Sequence, residues 1–474
     1  MLRARAWLVA LLAAATVAPA CGGLSRFERH RDAGATSGDD DDDVTSPPDA
    51  GRPDGSGAGK GPTDAGGGAR PPDAAPADGA SDAGPPDAGP PDAALPDAAP
   101  PDAALPDAGI PDWDVASVAA GGDHACVLWS DGRVSCWGRN DTGQLGDGTT
   151  INRPAATQVI ELPTAVSVAA YDRFTCAVVP DGSVRCWGST DQQRLGSVPA
   201  DPDPPWVAQP VTVPNVGGAF ELSGGPTAGH ACALTADWLY CWGSNDVGQL
   251  ARAEPASSAR AAAAIGAFRV VSAAGSYSHA CMVNDFGELG CAGATPGNGQ
   301  QVNTDVFNSI VAISDALAVG TGADFGCALR RNGTVACWGT NGDGNLGNGT
   351  EEDSVEPVAV QGLEGATKLA VGAHHACALL DSSAVSCWGK NLHGQLGDGT
   401  TEQANRPVFV LEHLAPEPRA LENIVDIAAG NEHTCAVVGS SYVYCWGSNL
   451  YGQLGTRATD EQSPWPIKVI DTFR

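Results

Sequence analysis

Short apolar runs closed by turn residues fill the chain from residue 113 onward. In residues 124–138 the run Ala125-Cys126-Val127-Leu128-Trp129 ends at Ser130-Asp131-Gly132, and Val134-Ser135-Cys136-Trp137-Gly138 follows. Runs of this length between Asp-Gly or Asn-Gly turns are strand signals, and no helical apolar period passes through them. Copies recur to the C-terminus. The second cysteine of each copy precedes Trp-Gly at Trp137, Trp187, Trp242, Trp338, Trp388 and Trp446, whereas Cys291 precedes Ala292-Gly293. These are seven units whose first cysteines are spaced 50, 56, 49, 46, 50 and 58 residues apart, a period of propeller blades or solenoid turns. Near-continuous apolar strands fit sheets buried on both faces, as in stacked blades.

The paired cysteines set a register. Cys126 and Cys136, Cys176 and Cys186, Cys281 and Cys291, Cys327 and Cys337, Cys377 and Cys387, and Cys435 and Cys445 are ten apart, while Cys232 and Cys241 are nine apart. With Cys126 opposite Cys136, Trp129 faces Arg133 around the loop Ser130-Asp131-Gly132, whose third position wants a left-handed residue. Pro180-Asp181-Gly182, Asp285-Phe286-Gly287 and Arg331-Asn332-Gly333 fit the same hairpin. Directly opposed strand residues bring their Cβ atoms within disulfide reach, so seven bridges are expected, each inside its own unit. Ala236-Asp237 requires a different turn in the third unit. Structural zinc sites use converging Cys-x₂₋₄-Cys pairs, which this spacing is not, so neither metal nor cofactor is expected.

The front of the chain is built differently. Arg3 and Arg5, an apolar run over residues 6–15, and Ala18-Pro19-Ala20 before Cys21 read as an export signal over residues 1–20, too short to span a bilayer. Small residues leading into Cys21 resemble a bacterial lipoprotein signal, although Ala18-Pro19-Ala20 suits an ordinary signal peptidase equally. Fifteen cysteines make seven pairs plus Cys21, and that arithmetic favours lipidation of Cys21 over plain secretion. Residues 21–112, rich in Pro, Asp, Ala and Gly, cannot bury a core and are expected to form a disordered acidic stalk. The repeats then occupy residues 113–474. A formal charge of −30 argues against nucleic acid as a partner, and fourteen cysteines at hairpin spacing after an export signal imply an oxidising compartment.

Quoted at full strength the unit reads Gly121…His124, Cys136-Trp137-Gly138-Arg139-Asn140 and Gly143-Gln144-Leu145-Gly146, with a Pro-containing return strand. It resembles the repeat of the regulator of chromosome condensation family, whose fold is a seven-bladed β-propeller, and its cysteine pairs resemble those of exported bacterial members. The resemblance implies an all-β fold with blade four, which lacks both Trp-Gly and Gly-Gln-Leu-Gly, as the irregular one. Nuclear members of the family exchange guanine nucleotides on a small GTPase. None of their exchange residues can be placed on this chain, and the export signal disfavours that activity.

His124, His230, His279, His375 and His433 stand two residues before the first cysteine of their units, and Phe174 and Phe325 fill the same slot. Replacement by phenylalanine marks the slot as a packed ring between blades. No nucleophile, phosphate-binding or zinc-protease motif is present, so a binding scaffold is expected rather than an enzyme, whose site would lie in the propeller mouth. The expected protein is a monomer at the bacterial envelope, extracytoplasmic, lipid-anchored or alternatively secreted, touching membrane only through its N-terminal lipid. It would bind an envelope or extracellular protein or glycan. Recognition is expected in the irregular segments 197–210, 251–264, 292–304 and 402–422, read as connections. The two chain ends are expected to share one blade, because residues 464–470 follow the last hairpin with no further blade to serve.

Overall fold

A computed structural model describes residues 114–197, 204–252, 257–294, 303–413, 417–457 and 460–469. Residues 1–113, which hold the expected export signal, Cys21 and the expected acidic stalk, lie outside the described residues. Among those described, no helix is long and apolar enough to cross a membrane. Each repeat unit folds into a four-stranded antiparallel sheet whose strands neighbour one another in chain order. In blade one these are Val115–Ala120, His124–Trp129, Val134–Gly138 and Arg153–Gln158. Six more sheets repeat the plan, giving an all-β propeller of seven blades. Every residue of His124–Trp129 and Val134–Gly138 is buried, because neighbouring blades cover both faces of the sheet.

The hairpins follow from local chemistry. Trp129 N donates to Arg133 O at 2.9 Å, and Gly132 takes φ +86°. Alternation from that hydrogen-bonded pair puts Cys126 and Cys136 at a non-hydrogen-bonded position, where backbones approach most closely. Their Cα atoms are 4.0 Å apart, and a disulfide joins them. Cys176 is bridged to Cys186, Cys232 to Cys241 and Cys281 to Cys291 in blades two to four. Cys327 is bridged to Cys337, Cys377 to Cys387 and Cys435 to Cys445 in blades five to seven. All seven close within their own units, with Cα atoms 4.0–4.1 Å apart. Blade three keeps the Cys232–Cys241 register around a two-residue tip, with Thr235 Oγ1 donating to Trp238 O at 2.8 Å.

Blades are joined by the repeated tryptophans. Trp187 Nε1 of blade two donates to Gln144 O in the Gly-Gln-Leu-Gly segment of blade one at 2.9 Å, and Trp388 and Trp446 do the same to Asn345 O and Gln395 O. The last glycine of that segment lies against the indole: a Cβ at Gly146 would stand 2.7 Å from Trp187 Nε1. Blade four shows why two departures from the repeat occur together. Ala251 replaces the last glycine in blade three, and the residue it packs near in blade four is Ala292, which replaces the tryptophan. Removing the indole makes room for the extra Cβ. Ala292→Trp alone should therefore cost about 1–3 kcal/mol by overpacking. Adding Ala251→Gly should recover much of that loss, a coupling readable in a double-mutant denaturation cycle. Additive effects would mean that the two sites are independent.

The ends do not share a blade. Gln462–Lys468 pairs with Tyr442–Ser448 of its own unit, and Val115–Ala120 pairs with His124–Trp129. In blade one the glycine-rich loop of residues 139–152 turns the return strand back beside the hairpin it follows, and in every blade the fourth strand pairs within its own unit's sheet. The seventh and first blades are held instead by packing: Trp137 Nε1 donates to Gln453 O at 2.9 Å, Val118 N to Asp426 Oδ2 at 3.1 Å, and Val115, Val127 and Trp137 share an apolar cluster with Val437 and Val443. At several other junctions the blade-to-blade connection adds two buried apolar residues, such as Val213 and Val216 or Ile310 and Ile313. Between blades seven and one a cavity of about 310 Å³ lies between Val115, Trp129, Trp137, Val443 and Lys468.

Candidate protein-binding surface

The segments expected to be connections are partly strands. Trp206–Thr212, Ser257–Phe268 and Ala404–Phe409 are the outermost strands of blades two, three and six, and Leu411–Glu412 pairs with Arg419–Ala420. Outer strands pair on one side only, so their sequences vary without loss of the blade core. Residues 198–203, 253–256, 295–302 and 414–416 of these segments lie outside the described residues.

The slot histidines are all fully buried between blades. His124 Nε2 lies 2.8 Å from Thr175 Oγ1, whose own proton goes to Gln144 O at 2.8 Å. The hydroxyl therefore accepts from Nε2–H, which fixes the neutral tautomer. His375, Thr434 and Gln395 O repeat the arrangement. Burial lowers the pKa values to about 3 for His124, His230 and His375, and to about 4 for His279 and His433. Neutral and enclosed, these rings are packing groups.

Strand direction alternates within a blade, which sorts every loop onto one of two faces. One face carries the Gly-x-x-His turns and the Gly-Gln-Leu-Gly loops; the other carries the cysteine hairpins and the blade-to-blade connections. On the Gly-Gln-Leu-Gly face, Asn140 organises its loop by accepting from Leu145 N at 2.9 Å and donating to Ile151 O at 3.0 Å, and Asn341 and Asn391 do likewise. Several charges there are paired: Arg139 with Asp123 and Asp141, Arg173 with Asp141, Lys390 with Glu432. Burial raises the Asp123 and Asp172 carboxyls, with Arg139 and Arg194 respectively pulling the other way.

The innermost strands line a channel of about 330 Å³. They run the same way around the ring, as the parallel bridge between Gly224 and Ala274 records for blades three and four. Inside it, Lys368 pairs with Asp426, whose Oδ1 also accepts from Ile427 N at 2.8 Å. The surrounding protein raises the Glu221 carboxyl, with Lys368 opposing.

At the hairpin-side mouth each innermost strand begins with a buried residue followed by an exposed one: Ala116, Val166, Phe220, Val271, Leu317, Thr367 and Val425. A β-bulge removes most of these from the ladder, for example between Val115 and Ser117 and between Val270 and Ser272. Five are large and apolar and remain 46–54% exposed. Sequence reasoning missed them because each is a single residue with no motif. The available signal was two adjacent apolar residues at a strand start, Val270-Val271 or Ala316-Leu317, where period two allows one face only. Single exposed apolar residues are ordinary; a ring of them at one channel mouth is not.

Two family models, both for the regulator of chromosome condensation (RCC1) repeat, match the chain: one at residues 115–144, 165–192, 317–345, 366–395 and 424–453, the other at 131–178, 332–379 and 384–437. Protein pim1 of Schizosaccharomyces pombe is 40% identical over 52 residues, 11% of this chain and 10% of that protein. The ultraviolet-B receptor UVR8 of Arabidopsis thaliana is 27% identical over 372 residues, 75% of this chain and 70% of the receptor. The human E3 ubiquitin-protein ligase HERC2 is 29% identical over 73% of this chain, which spans 5% of that protein. Among solved structures, human WBSCR16 superposes with TM-score 0.62 at 21% identity, covering 72% of this chain and 95% of its own. Yeast RCC1 (Prp20), in its complex with Kap60, gives TM-score 0.60 at 17% identity, covering 76% and 86%.

Proposed function

From a chain built as a propeller of regulator of chromosome condensation repeats, we propose a protein-binding scaffold displayed outside the bacterial cytoplasm, held to a membrane by lipid on Cys21 and spaced from it by the acidic segment before residue 113. The observation that carries the binding reading is the exposed apolar ring on the hairpin side of a rigid, disulfide-closed propeller. Its residues are mainly aliphatic, which favours a protein over a glycan, because sugar sites need convergent polar groups beside aromatic faces. Seven disulfides support an oxidising, extracytoplasmic setting. The enzyme reading loses its most conspicuous candidates, since the histidines are enclosed in blade seams.

Two measurements test this. The full chain expressed in a bacterium should sediment with membranes, and Cys21→Ser should release a folded protein into the extracytoplasmic soluble fraction. An unmodified Cys21 N-terminus by intact mass would replace lipidation with plain secretion. The oxidised protein, used as bait in envelope extract, should retain a partner that protease treatment of the extract destroys. A partner that survives protease but not glycosidase would make the scaffold a glycan binder.

A further inference from the structure

Resting on the protein-binding reading, we propose that the hairpin face docks a partner segment that is apolar at its centre and flanked by lysine or arginine. The apolar surface is thickest over blades three to five. Phe220 and Leu317, 50% and 46% exposed, stand at the channel mouth. Outside them lie the hairpin-tip residues Trp238 and Phe286, at 44% and 64%, and Val311 in a connection, at 88%. Rings and branched side chains held on disulfide-tied hairpins lose little freedom when covered, the property of interface anchors.

Charge chooses the partner. Several cations of this face are already neutralised: Arg133 by Asp131, Arg269 by Asp285 and Arg330 by Asp315, with Arg269 also lying 5.5 Å over the Phe286 ring. The exposed carboxylates Glu161, Asp237, Glu364, Asp381 and Glu422 stand in the hairpin tips and connections of the same face outside any ion pair among the described residues. Among the described residues, Arg185 and Arg331 oppose them there as cations outside such pairs, besides Arg419 and Lys468 at its edge. An apolar centre within an acidic surround is complementary to a basic, apolar peptide and repels an acidic one. The opposite face also exposes apolar side chains, Ile151, Tyr277, Leu392 and Leu450, but each stands singly in the loop of its own blade rather than around the channel mouth, and several of the charges there are paired between blades.

The test is a selection from a display library of random peptides on the oxidised full chain. Recovered peptides should be enriched in Leu, Ile, Phe or Trp together with Lys or Arg. Phe220→Ser with Leu317→Ser should weaken them roughly tenfold or more, as truncation of central anchors does. Both residues are half-exposed, so folding is not at stake. Thr367→Leu, which extends the ring, should tighten binding, and raising salt from about 50 mM to about 0.5 M should loosen it. Acidic or wholly polar winners, or winners indifferent to the ring substitutions and to salt, would overturn the docking surface while leaving a protein binder. No enrichment also overturns it; if the envelope bait then retains no protein either, the scaffold reading falls with it.

Discussion

The chain returned from denaturant with its cysteines reduced should fail to regain the propeller, whereas the oxidised chain should refold. Each bridge closes a loop of nine or ten residues. Constraining such a loop in the unfolded chain stabilises by about 2.7 kcal/mol on the chain-entropy account. Seven bridges sum to roughly 19 kcal/mol as an upper bound, against a total stability of about 5–15 kcal/mol for most domains. The cysteines are also almost fully buried, so their reduced thiols would have to pack in the blade cores at the same spacing. Circular dichroism and protease resistance read the outcome, with thiol counting as control. Replacing one pair, Cys377→Ala with Cys387→Ala, should lower stability by about 2–3 kcal/mol and leave the other blades folded. A fully reduced chain with unchanged melting temperature would assign the stability to blade packing.

Hairpin and disulfide registers were legible because two local constraints agree: a cysteine spacing and a glycine at the left-handed turn position, as at Gly132 and Gly333. The spacing alone was enough where the turn differs, as between Cys435 and Cys445, whose hairpin carries Ser440-Ser441 at its tip. Burial on both faces was legible in Ala125-Cys126-Val127-Leu128-Trp129, which has no polar residue to turn outward. What failed depended on contacts distant in sequence. Nothing in residues 462–468 says which hairpin they join; that is decided by their pairing with Tyr442–Ser448 of their own unit. The alanine-rich Ser257–Phe268 has weak strand propensity, and pairing with Trp238–Ser244 overrides it. The Ala251 and Ala292 departures looked separate because they are forty-one positions apart, yet they belong to one buried apolar cluster. Closure of the ring also set the channel-mouth residues side by side, a neighbourhood that no local pattern encodes.

Acid should destabilise this propeller well before its exposed carboxylates are protonated. His124, His230, His279, His375 and His433 titrate near 3 to 4 when folded, against 6.5 when unfolded. Between those values the unfolded chain binds protons that the native chain refuses, so their contribution is fully present above pH 6.5 and is lost as pH falls toward 4. Each histidine contributes a slope of up to about 1.4 kcal/mol per pH unit, and five give about 7, enough to exhaust an ordinary stability within two units. The raised carboxyls of Asp123, Asp172 and Glu221 act with the opposite sign, since the native chain holds their protons more tightly, but they are fewer and lie at loop turns and in the channel. Phe174 and Phe325 show that the slot accepts an apolar ring. His230 and His433 are the sites to change, because their rings bond to no other side chain. His230→Phe with His433→Phe should hold or raise stability at pH 7 and reduce the pH slope from about five protons to about three. Urea midpoints measured across pH 4–7 read that slope directly. Parallel curves for the variant and the parent would mean that these histidines do not control acid unfolding.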